Sequence, residues 1–130
     1  MKKVDMKLVK EIELLLNKKE KELEKDIEIL DVESIESLID KVFCEKLNDE
    51  SFLYKCVCGM LYNNFSSGNG YDFDSDLNVE RMKKRFDELY ESDGYIDDDC
   101  FVVDIKVDDG YGYIENMKWV VYVLYKDIRE

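Results

Sequence analysis

Two stretches decide the fold class, FVVDIKV at residues 101–107 and WVVYVLY at residues 119–125. In the first, Phe101, Val103, Ile105 and Val107 alternate with Val102, Asp104, Lys106 and Asp108, which is the period-2 pattern of a half-buried strand. The second is a run of β-branched and aromatic residues, the composition that suits a pleated surface. Asp109-Gly110 between them is a strong turn dipeptide, and Tyr111 to Met117 reads as a loop or a short extra strand. The predicted element is a β-hairpin or small sheet over 99–125.

Working back toward the N-terminus, the period changes from 2 to 3.6 at Gly94, which stands where a helix stop requires a left-handed residue. Upstream of it, Val79, Met82, Phe86, Leu89 and Tyr90 predict a helix over 78–91 with these residues inward. SSGNG at 66–70 is a turn signal. Phe52-Leu53, Cys56-Val57 and Met60-Leu61 are pairs four apart and read as a further helix; the alternation of Phe52, Tyr54, Cys56, Cys58, Met60 and Tyr62 is the competing strand pattern. Ile35, Leu38, Ile39, Val42, Phe43 and Leu47 define a helix to about Asn48, for which Asp31 is the expected N-cap. The first thirty residues carry Val9, Leu16, Leu23 and Leu30 seven apart, with Val4, Leu8, Ile12, Leu15 and Ile27 widening the stripe. The whole reads as one α+β domain over 1–130, with mainly N-terminal helices packed on a small antiparallel β-sheet formed near the C-terminus. Residues 1–30 form a long helix able to project, 31–92 are helical, and no repeat is found.

Composition removes much of ordinary enzymology. There are 130 residues and no histidine, so a Ser-His or Cys-His pair, a His-ligated zinc and an imidazole acid/base are all excluded. Ala, Pro, Gln and Thr are also missing, a bias associated with AT-rich genomes of bacteria and their phages. The net charge is −13, so direct nucleic-acid binding and acidic membranes are disfavoured. The longest apolar runs are too short for a membrane span, and Asp5, Glu11 and Glu13 interrupt what would be a signal peptide's apolar region. The expected compartment is the cytoplasm of a bacterial cell, with Cys44, Cys56, Cys58 and Cys100 reduced.

The individual motifs are incomplete. Asp72, Asp74 and Asp76 resemble the opening of an EF-hand loop, but Leu77 replaces the turn glycine and Lys83 the closing glutamate. Cys56-Val57-Cys58 has one residue between the cysteines, too few for a zinc knuckle, and no second pair completes the set. The short turns at 68–70 and 110–112 lack the Lys-Ser/Thr of a phosphate loop. Trp119, Tyr122 and Tyr125 read as sheet packing. No catalytic residue, metal ligand or cofactor is expected.

The charge is concentrated. Residues 68–115 hold 15 acids against 5 bases, whereas 1–67 hold 15 against 11. Within that segment, Asp72, Asp74, Asp76, Asp97, Asp98, Asp99, Asp108 and Asp109 are interleaved with aromatic residues, among them Tyr95, Tyr111 and Tyr113. Spaced carboxylates imitate a row of phosphates, and tyrosines supply rigid contact area. In size, acidity and missing residue types the chain is similar to phage-encoded inhibitors, including anti-CRISPR proteins, and in character to immunity proteins that neutralise basic nuclease toxins. The resemblance implies a non-enzymatic inhibitor that occupies a basic, nucleic-acid-binding surface of a nuclease or nucleoprotein complex. The competing expectation is a structural protein that dimerises or docks through residues 1–30.

Overall fold

A computed structural model describes residues 4–23, 32–63, 75–108 and 114–129, with side chains over 4–18, 35–59, 80–106 and 118–129. The element order is α1 (Met6–Leu23), α2 (Val32–Lys46), β1 (Phe52–Asn63), α3 (Ser75–Asp87) with a π-helical turn at Glu88–Ser92, β2 (Ile96–Asp108) and β3 (Ile114–Asp127). The three strands form one antiparallel sheet in the order β1-β3-β2. The architecture is α+β, helices mainly from the N-terminal half on a small antiparallel sheet near the C-terminus.

β3 is the central strand. Trp119, Val120, Val121, Val123 and Leu124 are all buried, which explains why its sequence is a continuous apolar run: it is covered on both faces. One face carries Cys56, Cys58, Val103, Ile105, Trp119, Val121 and Val123 and packs against Val9, Ile12 and Leu16 of α1 and Ile35, Ile39, Val42 and Phe43 of α2. The other carries Val57, Tyr122 and Leu124 beneath Met82, Phe86 and Leu89. Each fully buried aliphatic or aromatic side chain in these clusters contributes roughly 1.5–3 kcal/mol relative to exposure.

The stretch read as a helix over 52–62 is strand β1. Its two periods fit the sequence equally well, and pairing selects between them. Cys56 and Cys58 face α1 and α2, Val57 faces the opposite way, and eleven residues of the strand register against β3 from Phe52↔Asp127 to Asn63↔Met117. Gly59 allows α3 to lie close, because a Cβ there would collide with the Met82 sulfur.

Other local expectations hold with adjustments. Asp5 caps α1, its carboxylate accepting the Leu8 N–H at 2.8 Å, a cap the sequence reading passed over. Residues 24–31, including Asp31, lie outside the described set. Gly94 has φ +76°, as the helix stop demands. The helix that precedes it ends in a π turn, which buries Leu89 and leaves Tyr90 48% exposed rather than inward. β2 begins at Ile96, earlier than its alternation suggests, and a bulge between Asp97 and Asp99 resets its phase. Among the described residues, no helix is long and apolar enough to cross a membrane.

Candidate functional site

Of the residues singled out for partner binding, Asp72, Asp74, Asp109, Tyr111 and Tyr113 lie outside the described residues, and Asp76 and Asp108 fall where the backbone alone is described. Those that remain are Tyr95, Asp97, Asp98 and Asp99, at the corner where the π turn leads into β2. Further carboxylates adjoin these that the sequence reading did not single out. Residues 87–99 contain seven carboxylates, Asp87, Glu88, Glu91, Asp93, Asp97, Asp98 and Asp99, and no lysine or arginine. A charge count over thirteen residues brings out this stretch, whereas a count over the whole of 68–115 does not separate it from its surroundings. Asp87, Glu88, Glu91, Asp93 and Asp97 are exposed.

The bulge changes what the Asp97–Asp99 run presents. Asp97 registers with Leu124 and Asp99 with Val123, consecutive residues of β3 that point to opposite faces of the sheet. The two carboxylates therefore project to opposite faces of the strand end instead of sharing one stripe. Partial burial and then the nearby Asp99 charge raise the Asp97 pKa above its ordinary value.

Tyr95 is less of a free anchor than expected. Its ring packs against the Val57, Leu89 and Leu124 cluster, its N–H donates to the Leu89 carbonyl at 3.0 Å, and the Lys126 ammonium lies 5.9 Å from the ring centroid. The exposed apolar groups near the corner are instead Tyr90, Ile96 at 46% and Val102 at 44%. Tyr90 stacks on Phe86 at 5.7 Å between centroids, and Phe86 meets Tyr122 edge-on at 5.5 Å. Met82, Lys83, Phe86 and Tyr122 line a small open groove there. A second depression, along α3, mixes Glu80, Asp87, Glu88 and Glu91 with Lys83 and Lys84 and has no single sign.

A different cluster, on the β1 side, has the look of a buried reactive site. Glu36 on α2 is 6% exposed; its Oε2 accepts the Cys58 N–H at 3.1 Å and an Arg81 N–H at 3.2 Å, and Arg85 Nε lies 3.5 Å from Oε1. One turn on, Asp40 accepts the Cys56 N–H at 2.7 Å and a Lys55 N–H at 2.9 Å, and this bond raises the lysine's pKa. The Cys44 thiol lies 3.1 Å from the Tyr54 carbonyl, and Arg81 donates to the Cys58 carbonyl at 3.0 Å. Four of these contacts meet main-chain groups of β1, at Tyr54, Cys56 and Cys58, and the ion pairs to Lys55, Arg81 and Arg85 balance the charge of the two carboxylates. The carboxylates are occupied as edge caps, which accounts for buried charge without chemistry.

The thiols are correspondingly quiet. All four cysteines are free. The neighbouring Cys44 thiol and burial push Cys56 well above the usual thiol range, and burial followed by the Glu36 charge does the same for Cys58. Cys100 is exposed, yet partial burial still raises its pKa. Among the described residues, no group of three or more Cys, Asp or Glu is placed to hold a metal ion. Comparison with protein-family models, curated proteins and solved structures finds nothing that matches, so the acidic corner has to be understood from its own residues.

Proposed function

We propose that the protein is a small acidic binding protein, without catalytic activity of its own, that inhibits a partner by covering a basic nucleic-acid-binding surface. The observation that carries this reading is the acidic corner: seven carboxylates and no cation within residues 87–99, most of them exposed, beside exposed Tyr90 and Ile96. Such a surface attracts a basic groove at long range and disfavours acidic competitors. The apolar groups next to it supply contact area once the charges have met. The character shared with phage-encoded inhibitors and with immunity proteins against basic nucleases points to a nuclease or nucleoprotein complex as the target class.

The rival reading, association through residues 1–30, draws less support over the described part of α1. Val4, Val9, Ile12 and Leu16 are buried inside the chain's own core, and the exposed apolar residues there are Met6 and Leu14.

The test is retention of basic nucleases and nucleoprotein complexes on the immobilised chain, eluted with rising salt. The expected result is a retained nuclease or nucleoprotein that competes with DNA or RNA and binds about tenfold more weakly after Asp97, Asp98 and Asp99 are all changed to Asn. Retention that ignores both salt and this triple substitution removes the acidic corner from the mechanism.

A further inference from the structure

Among the described residues, the outer edge of β2 is covered only in part. In β2 the Lys106 N–H donates to Asn17 Oδ1 of α1 at 2.6 Å, and the Asn17 amide lies 3.5 Å from the Asp104 carbonyl. Asn17 thus takes the place of a neighbouring strand's peptide group, and the main-chain groups of Asp104 and Lys106 point away from β3. The register from Asp99 to Asp108 is regular, so by the period of two the main-chain groups of Cys100 and Val102 point outward as well. The Cys100 N–H turns back to its neighbour's Asp99 Oδ1 at 2.8 Å. Among the described residues, nothing bonds the N–H or the C=O of Val102. Its side chain is exposed, and α3 packs over β1 rather than over β2.

We propose that this edge accepts an extended basic segment of the partner as a fourth strand, hydrogen-bonded to β2 around Val102. The inference rests on the reading of the acidic corner as the partner-facing surface and adds the mode of attachment. Two observations select this occupant. The bulge places Asp97 and Asp99 on opposite faces of the strand, so cations on successive residues of an incoming strand each meet a carboxylate. The exposed Val102 and the half-buried Phe101 beyond them offer apolar surface to the residues that follow. A second copy of this chain is the poorer occupant, because it carries a charge of −13 and brings its own aspartates to the edge. Main-chain pairing supplies affinity in such strand addition, and the side chains alongside supply choice of partner.

The experiment uses the full chain and two synthetic ten-residue peptides of equal charge, Lys-Lys-Val-Val-Lys-Lys-Val-Val-Lys-Lys and the same peptide with every valine replaced by proline, so that lysines fall on both faces of the added strand. The paired prolines remove N–H groups from both edges of the second peptide, so neither of its sides can donate an unbroken ladder of hydrogen bonds. The expected result is that the lysine–valine peptide binds about tenfold more tightly, and that hydrogen exchange at the Val102 amide slows about tenfold or more when it does. Val102→Pro removes an outward N–H, which an edge strand tolerates, and is expected to abolish the preference between the peptides. If that variant does not fold, the comparison of peptides on the unaltered chain still decides. Equal binding of both peptides with no protection of Val102 overturns strand addition while leaving charge-driven docking at the acidic corner intact. Failure of both peptides to bind at low salt overturns both readings. Protection of Val102 that grows with the chain's own concentration, without peptide, assigns the edge to a second copy and overturns the proposal.

Discussion

The two edges of the sheet are treated in opposite ways. On β1, side chains from α2 and α3 meet the outward main-chain groups one after another: Cys44 at the Tyr54 carbonyl, Asp40 at the Cys56 N–H, Glu36 at the Cys58 N–H and Arg81 at the Cys58 carbonyl. On β2, among the described residues, Asn17 of α1 covers Asp104 and Lys106, and the stretch around Val102 is flanked by carboxylates and a bulge. Both arrangements hinder aggregation, but they differ in what they admit. A capped edge disfavours pairing with any further strand; on the strand-addition proposal, an edge guarded by negative charge disfavours other acidic chains and accepts a basic one.

The largest expected effect comes from breaking the capped edge. Glu36→Ala takes the carboxylate from Arg85 and from Arg81, which keeps its bond to the Cys58 carbonyl, and leaves the buried Cys58 N–H without its acceptor, so a loss of about 3 kcal/mol in unfolding free energy is expected. Urea unfolding measures it, and Glu36→Gln is expected to cost less because the amide oxygen still accepts from Cys58. Equal stability of the alanine variant and the unaltered chain shows that the β1 edge does not need its cap.

A smaller effect is expected where α1 guards β2. Asn17→Ala removes the acceptor for the Lys106 N–H, at a cost of about 1–2 kcal/mol, and lengthens the uncapped part of the edge. Hydrogen exchange at the Lys106 amide is expected to quicken toward the rate at Val102. An unchanged rate means that something other than Asn17 closes that end of β2.

The smallest effect is electrostatic. The folded-state pKa of Asp97 is raised by partial burial and by Asp99. The folded protein therefore holds this proton more tightly than the unfolded chain, and its stability falls as pH rises from the ordinary aspartate pKa through the raised one. Unfolding midpoints measured over about pH 4–6 are expected to show a shallower decline for Asp97→Asn. Binding a basic peptide has the opposite sign, since it favours the ionised carboxylate, and is expected to weaken as pH falls through the same range. A pH profile identical in the variant removes Asp97 from both effects.

Legibility in the sequence followed the range of the interactions that decide each element. Helix α2 was read correctly because its apolar residues repeat within one turn of each other, and Ile35, Ile39, Val42, Phe43 and Leu47 are buried as that spacing demands. The alternation over 101–107 is just as local, and Val103 and Ile105 are buried while Val102 is exposed. β1 failed this test because residues 52–62 satisfy both periods. The registering residues of β3 lie more than fifty positions further along the chain, and no local pattern announces them. The bulge at Asp97–Asp99 was equally hidden, so a run of three aspartates that reads as one acidic stripe is in fact divided between two faces.

The site was legible in its sign and not in its construction. The absence of histidine and the concentration of carboxylates over 68–115 belong to the chain itself, because charge and composition need no fold to be counted. So does the α+β character, since helical and strand periods are properties of neighbouring residues. Which strand stands at which edge, that Glu36 and Asp40 serve as main-chain acceptors, and that no described residue bonds the Val102 main chain depended on the tertiary structure. Those outcomes are fixed by contacts between segments distant in sequence, where a main-chain group either meets a partner or does not, and only the folded arrangement settles that.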